Sequence, residues 1–375
     1  MDRINKIKNK KIAIIGATGF IGGRLFEIFK RHGIDPLVIL RSYSKAFNLS
    51  RYKYNDILCD LNNYEQLLDA LDGIDICFNC AHDFSASQKD MVKSINNLGK
   101  ACAAKNIRLV HLSSVAVNEP MTDLIVDEKS KICDEKNFYG YTKFLIEKEL
   151  LNHQDLDVII LRPTNVYGPF SGAWTVGPCM KLLSGKVILT DNAKDSINNL
   201  IFIDDLCNYM ILAADIKIDN RDVVFLVNGP DKEVSWSKFY ENYSKLIKSE
   251  NPSYMDENII IKNNGNFLKF LINGFKNISM YNDNPLTSFI INNLKKLPNS
   301  FKSKLKAFQK DFSPKLGDII LYPNAKEISD YRNQSFVDSS KAIEKFNYTP
   351  LYNYQKGLEK TSEFIKWYFE KSKIS

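Results

Sequence analysis

The stretch Lys11-Ile12-Ala13-Ile14-Ile15-Gly16-Ala17-Thr18-Gly19-Phe20-Ile21-Gly22 decides the fold of this chain. Its first half is a short apolar run ending in glycine, which reads as a buried strand. The amphipathic stretch from Gly22 to His32 follows and reads as a helix. The three glycines at the turn have separable tasks. Gly16 permits the tight strand-to-helix turn, Gly19 lets backbone approach a pyrophosphate with no Cβ in the way, and Gly22 lets the helix lie close on the sheet. The helix start then offers free N–H groups and a positive dipole end to phosphates. Gly16, Thr18, Gly19, Phe20, Ile21 and Gly22 are therefore the candidate cofactor-binding residues of this turn.

Outward from the turn, strand and helix signals alternate. Pro36–Arg41, Tyr54–Leu61, Ile74–Ala81, Arg108–Ser114 and Val158–Pro163 read as strands. Tyr64–Leu71, Lys89–Lys105 and Tyr139–Asn152 read as the helices between them. Strands separated by helices mean βαβ units, so the expected fold is α/β, a doubly wound, Rossmann-like parallel sheet. Residues 10–170 are expected to form the dinucleotide-binding core. Residues 171–375 are expected to form mainly a smaller C-terminal substrate lobe, with strands at Asn199–Asp204 and Val223–Asn228 returning to the core sheet.

An acid at the end of the second strand would accept the ribose 2′-hydroxyl and select NAD. Residues 37–44 contain none; Arg41 stands there with Ser42 beside it and Lys45 just beyond. A cation suits a 2′-phosphate, so NADP is favoured over NAD.

Tyr139-Gly140-Tyr141-Thr142-Lys143 opens a helix, and Ser113-Ser114 ends the fifth strand. Positions i and i+4 share a helix face, so Tyr139 and Lys143 point the same way. A free tyrosine, with a pKa of about 10, is a poor base at neutral pH. A nearby ammonium favours the phenolate, and a serine hydroxyl orients a substrate oxygen beside it. Ser114, Tyr139 and Lys143 are thus the candidate catalytic set, with Tyr139 exchanging a proton while hydride leaves or joins the substrate carbon.

Taken together these motifs resemble those of the extended short-chain dehydrogenases/reductases, the NAD(P)-dependent epimerase/dehydratase family. The resemblance covers roughly 10–245 and 336–370. It is carried by Gly16–Gly22, Cys59-Asp60-Leu61, Asn79-Cys80-Ala81, Leu112–Val117, Tyr139–Lys143, Arg162–Pro169 and Ile203-Asp204-Asp205. It implies that Asp60 and Leu61 sit by the adenine and that Cys80 and Ala81 line the cofactor ribose and pyrophosphate. Ser113 would be a strand-end neighbour of Ser114, and Pro163 and Asn165 would approach the nicotinamide. Asn96 would support the active-site lysine through water. It also implies a homodimer through the Tyr139 helix and the Lys89–Lys105 helix. Asp204 and Asp205 read as a structural N-cap rather than a catalytic pair. His82, Trp174 and Thr175 are candidate substrate residues.

Two departures from the family narrow the activity. Val115 and Ala116 stand where dehydratases place an acidic pair, which argues against dehydration. Asn198-Asn199 stand where many epimerases carry a diphosphate-binding arginine. The leading expectation is an NAD(P)-dependent epimerase or oxidoreductase acting on a sugar or nucleotide-sugar hydroxyl or ketone, in polysaccharide precursor synthesis. Its rivals are an NADP-dependent reductase or dehydrogenase of a bulky, sterol-like alcohol and a non-catalytic dinucleotide-sensing regulator. The intact tyrosine–lysine pair speaks against the last.

The charge is uneven. Of a net +7, residues 262–315 carry ten Lys and two Asp, or +8, so the rest of the chain sits near neutrality. That pattern does not fit a nucleic-acid surface. The segment reads as basic amphipathic helices: a lid over the substrate lobe, a partner-protein surface, or an interfacial surface meeting an anionic membrane or lipid-linked substrate. Seven scattered cysteines and no uncharged apolar run of about 18 residues point to a cytoplasmic protein, if one peripheral to the membrane. No metal site is expected, the Cys77–Cys80 pair lying in a strand.

Overall fold

The computed structural model describes residues 2–218, 222–264 and 320–371. The basic segment 262–315 lies almost wholly outside the described residues. In chain order the elements begin α1 (Asp2–Asn5), β1 (Ile12–Ile15), α2 (Phe20–Arg31), β2 (Leu37–Leu40), β3 (Asn55–Leu58), α3 (Tyr64–Ala70), β4 (Ile76–Asn79), α4 (Gln88–Ala104) and β5 (Arg108–Leu112). There follow β6 (Ile125–Val126), α5 (Phe138–Asn152), β7 (Val158–Pro163), β8 (Asn165–Tyr167), α6 (Gly177–Ser184) and β9 (Lys186–Thr190). Next come β10 (Leu200–Phe202), α7 (Ile203–Ala213), β11 (Val224–Val227) and α8 (Trp236–Ile247). Two compact units result. Of the described residues, the first takes 2–168, 199–218, 222–232 and 335–357; the second takes 169–198, 233–264, 320–334 and 358–371.

The first unit is built on a parallel seven-stranded sheet, in the order β11-β7-β5-β4-β1-β2-β3. Both faces of its central strands are covered, which is why β1, β4 and β7 are buried at every position and read as unbroken apolar runs. From β1 the chain winds outward to β2 and β3, then returns to place β4 on the other side. That reversal opens a crevice beyond the C-terminal ends of β1 and β4, the place where open α/β sheets take ligands. The glycine turn begins there.

Two expectations need correction. The stretch Asn199–Asp204 does not join the main sheet. Its strand is only Leu200–Phe202, paired in parallel with β8 as a separate two-stranded sheet. The edge beside β7 is already taken by β11, and Ile203 starts a helix. Nor do Asp204 and Asp205 cap that helix, whose N-cap is Phe202 with no side-chain cap bond. Asp204 instead accepts from Arg24 Nε on α2 at 2.7 Å. Asp205 accepts from the Tyr348 hydroxyl at 2.5 Å and from the N–H groups of Leu351 and Tyr352 at 2.8 and 3.0 Å. The acidic pair is structural, as its sequence context suggested, but it ties distant segments together rather than closing a helix end.

In the second unit β9 is flanked by parallel strands at Ser253–Met255 and Ile320–Leu321. Helix α8 starts at Ser235, whose side chain accepts from Lys238 N. It buries Trp236, Phe239, Tyr240 and Tyr243 on one face. Among the described residues no helix is long and apolar enough to cross a membrane.

Candidate active site

The glycine turn meets its constraints unequally. Gly16 has φ +87°, and a Cβ there would lie 2.8 Å from Ala81 N and 2.9 Å from Cys80 C. The end of β4 thus packs directly on the turn, with Cys80 N donating to Ile15 O at 2.9 Å. A Cβ on Gly22 would lie 2.3 Å from Gly16 O, so α2 has no room for a side chain there. Gly19 is different. Its backbone is extended, with φ −90° and ψ 177°, and a Cβ would meet only Gly16 O at 3.4 Å. The protein's own packing does not require glycine at position 19; an approaching ligand would. Gly19 is also the N-cap of α2 and provides no side-chain cap, which leaves N–H groups for an anion. This open cradle fits a dinucleotide pyrophosphate.

The catalytic candidates come together at the end of β5. Ser114 opens a short 3-10 turn, Val115–Asn118, and its Oγ accepts from Ala116 N at 3.2 Å. Helix α5 crosses this turn at Gly140, where a Cβ would lie 2.1 Å from Ala116 O. The N-cap Asn137 fastens the crossing: its side chain accepts from Gly140 N at 3.0 Å and donates to Ala116 O at 3.2 Å. Tyr139 is thereby set beside Ser114, close enough for the serine hydroxyl to favour the phenolate. Burial holds the phenol above its ordinary range, although the Ser114 hydroxyl pulls the other way. The expected acidifying ammonium is turned elsewhere. Lys143 is buried, and its Nζ donates to Leu112 O at 2.9 Å. Burial pushes its pKa down to about 8, against the attraction of Glu147.

His82, a candidate from sequence, reaches this cluster. Its ring packs edge-on against Tyr139 at 5.1 Å between centroids and against Phe84 at 4.4 Å. Phe84 in turn stacks over Tyr139 at 6.1 Å. Burial pushes the His82 imidazole down to about 3, with the Lys143 charge adding to the effect. His82 is therefore a neutral ring at working pH. Phe84 was not legible as a site residue, because nothing in its local sequence marks it.

A buried polar layer lies behind the site. Arg162 on β7 donates to Glu147 through Nε at 2.9 Å and through a terminal nitrogen at 2.6 Å, and to Asn118 Oδ1 at 3.2 Å. Ser113 Oγ donates to the same Glu147 carboxylate. Glu147 stands one helical turn beyond Lys143, a spacing visible in the sequence. Beside it Asn79 Nδ2 lies 3.1 Å from His111 Nδ1, while Asn79 Oδ1 accepts from Ala81 N. Burial keeps His111 well below its ordinary pKa.

The remaining predicted residues are placed as follows. Arg41 directly follows β2 and is ion-paired with Asp83. Asp60 and Leu61 follow β3; Asn97 Nδ2 donates to Leu61 O at 3.3 Å, so α4 grips this loop. Pro163 closes β7 and Asn165 opens β8. Asn96 does not approach Lys143. Its Oδ1 lies 2.8 Å from His153 Nε2, ten residues past Lys143, roughly 15 Å along the helix. Trp174 and Thr175 belong to the second unit. There the Trp174 ring packs on Trp236 at 5.6 Å, and the buried Thr175 hydroxyl lies 3.3 Å from that of Tyr243. All seven cysteines are free thiols, and among the described residues no group of His, Cys, Asp or Glu could hold a metal.

Residues 12–224 match the family described as NAD dependent epimerase/dehydratase. The chain belongs to this family. Its relatives include cinnamoyl-CoA reductase 1 of Arabidopsis thaliana, 30% identical over 43% of this chain and 54% of that one. CDP-abequose synthase of Salmonella typhimurium is 25% identical over 52% of this chain and 67% of its own. The human sterol-4-alpha-carboxylate 3-dehydrogenase is 22% identical over 57% and 60%. The chain thus spans little more than half to two thirds of these relatives' lengths. The fold matches the crystal structure of Helicobacter pylori ADP-L-glycero-D-manno-heptose-6-epimerase with a TM-score of 0.65 at 17% identity, covering 96% of this chain and 97% of that one.

Gly19→Ala is expected to keep the wild-type melting temperature and lose dinucleotide affinity, whereas Gly22→Ala should cost about 2–3 kcal/mol of stability through the clash with Gly16 O; thermal melts and a binding titration separate the two. Lys143 gives a second prediction. Its folded pKa of about 8 lies below the unfolded value of 10.5, so the unfolded chain holds the proton more tightly. The resulting penalty, about 3 kcal/mol, is fully present below pH 8 and is relieved as pH rises from 8 to 10.5. Lys143→Met, after loss of one hydrogen bond, should stabilise the fold at pH 7 by about 1–2 kcal/mol while abolishing turnover. A melting temperature below wild type at pH 7 would contradict this. Glu147→Gln leaves the Arg162 charge buried and unpaired, so a loss of about 3 kcal/mol is expected in urea unfolding.

Proposed function

We propose that this protein is an NADP-dependent epimerase or oxidoreductase that acts by hydride transfer on a hydroxyl or ketone of a sugar or nucleotide-sugar, in polysaccharide precursor synthesis. The observation that carries the reading is the juxtaposition of Ser114 and Tyr139, with Lys143 one helical turn on, at the same sheet edge as the open glycine turn. Gly16, Thr18, Gly19, Phe20, Ile21 and Gly22 would hold the pyrophosphate. Arg41 would hold a 2′-phosphate, Asp60 and Leu61 the adenine, Cys80 and Ala81 the ribose and pyrophosphate, and Pro163 and Asn165 the nicotinamide. The nicotinamide would supply or accept hydride at the substrate carbon. Tyr139 exchanges the proton of the substrate oxygen, Ser114 orients that oxygen, and the Lys143 charge stabilises a phenolate once its ammonium leaves the Leu112 carbonyl. His82 is well placed to wall the pocket as an uncharged ring.

Support for a carbohydrate substrate comes from the family and from relatives such as UDP-glucose 4-epimerase of Vibrio cholerae. The aromatic pair His82 and Phe84 on Tyr139 favours a second reading, reduction or oxidation of a bulky apolar alcohol. We further propose a cytoplasmic homodimer formed through α4 and α5, and contact of the lysine-rich 262–315 segment with anionic membrane.

Tyr139→Phe is expected to lower kcat by at least about 100-fold while dinucleotide affinity stays within twofold. Wild-type turnover in that variant would remove the mechanism. Absorbance at 340 nm during turnover distinguishes the two readings: an epimerase leaves it flat, and a reductase consumes the reduced dinucleotide stoichiometrically.

A further inference from the structure

The end of β2 carries no acid in sequence, yet the fold delivers one from another strand. Arg41 directly follows β2, and its guanidinium is ion-paired with Asp83, in the loop after β4. In the sheet β1 lies between β4 and β2. The two chain ends so joined are therefore two strand spacings apart, roughly 10 Å, and they flank the end of β1, where the glycine turn starts. Asp83 is anchored. Its Oδ1 accepts from Ser85 N at 3.0 Å and from Ser85 Oγ at 2.6 Å, which leaves Oδ2 for Arg41. Partial burial would raise the carboxyl pKa, but the bonds from Ser85 and Arg41 bring it below the usual range, so Asp83 is charged at neutral pH. The rest of the Arg41 surroundings suits an anion: Ser42 and Ser44 stand there with their hydroxyls 2.8 Å apart, and Lys45 is next in sequence.

We infer that Asp83 is a specificity-determining residue for the cofactor: as an internal counter-ion on Arg41 it holds down affinity for a 2′-phosphorylated dinucleotide relative to an unphosphorylated one. The inference rests on the dinucleotide reading above. A 2′-phosphate carries close to two negative charges and seeks the guanidinium in a bidentate arrangement. To reach it, the phosphate must displace the Asp83 carboxylate or bind beside it against like-charge repulsion. The side chain of Arg41 is 70% exposed and that of Asp83 31%. A pair so exposed is weak, so Asp83 lessens a phosphate preference without abolishing it. An unphosphorylated ribose carries no charge and is indifferent to the exchange.

The test is equilibrium titration of NADPH and NADH against wild type, Asp83→Asn, Arg41→Gln and the double variant, read by calorimetry. Asparagine keeps an amide oxygen for Ser85, so the loop is retained. Asp83→Asn is expected to tighten NADPH about fivefold with NADH unchanged, and the gain should vanish in the double variant. An equal shift for both dinucleotides, or no shift, overturns the inference. So does weaker NADH binding, which would make Asp83 an acceptor for the ribose hydroxyls, and so does an Arg41→Gln variant that binds NADPH as wild type does. If wild type binds neither dinucleotide, it is the underlying functional reading that fails, and this inference with it.

Discussion

The site depends on one close crossing: α5 lies over the end of β5 with no side chain between Gly140 and the Ala116 carbonyl. Any Cβ there would push the helix outward, and the Tyr139 phenol would leave Ser114. The crossing is held from behind by a buried charge pair. Glu147 on α5 and Arg162 on β7 are bidentate, and Ser113 adds a bond to the carboxylate and Asn118 one to the guanidinium. Such a pair contributes little net stability, because desolvation offsets most of the attraction. Its effect is geometric. Only one rotation of α5 lets Glu147 meet Arg162, and that rotation aims Tyr139 and Lys143, two turns and one turn earlier, at the end of β5.

The same layer explains the unusual electrostatics. Lys143, His82 and His111 share a region from which water is largely excluded, and their charges repel. Both imidazoles resolve the conflict by staying neutral. Lys143 alone keeps its proton near pH 7, at a cost in stability that Glu147 only partly offsets. A buried, destabilising cation one helical turn from a raised phenol works against folding, and such perturbed groups cluster at functional sites. The Leu112 carbonyl provides its resting partner.

Local spacing made part of this legible in the sequence. The glycine turn, the apolar strands and the tyrosine–lysine spacing each lie within a few residues, so helix and strand periodicities reveal them. What stayed hidden depends on pairings far apart in the chain. Arg162 finds Glu147 across 15 residues and Arg41 finds Asp83 across 42; no local pattern announces either. Asn96 was misplaced for a related reason. Its position on α4 was clear, but the relative sliding of α4 and α5, which brings it to His153, is set by packing at Gly99 against Leu150 and His153. The strand at Asn199–Asp204 was real but short, and its partner turned out to be β8, because periodicity reports burial and not which edge a strand joins.

The loop after β4 then takes on more than its sequence suggested. In three consecutive residues it places His82 against Tyr139, Asp83 on Arg41 and Phe84 over the same phenol. Contacts at residues so close in sequence are not independent, since the backbone between them has little freedom to absorb a shift. A ligand group that draws Arg41 away from Asp83 releases one end of this short arm, while the aromatic contacts hold the other. The end of β2 is therefore linked, through three residues, to the ring packed on the Tyr139 phenol. In the proposed reading, selection of the dinucleotide and exposure of the Tyr139 hydroxyl would share one structural element. The position of His82 against Tyr139 should consequently differ between the states in which Arg41 is paired internally and paired to a ligand.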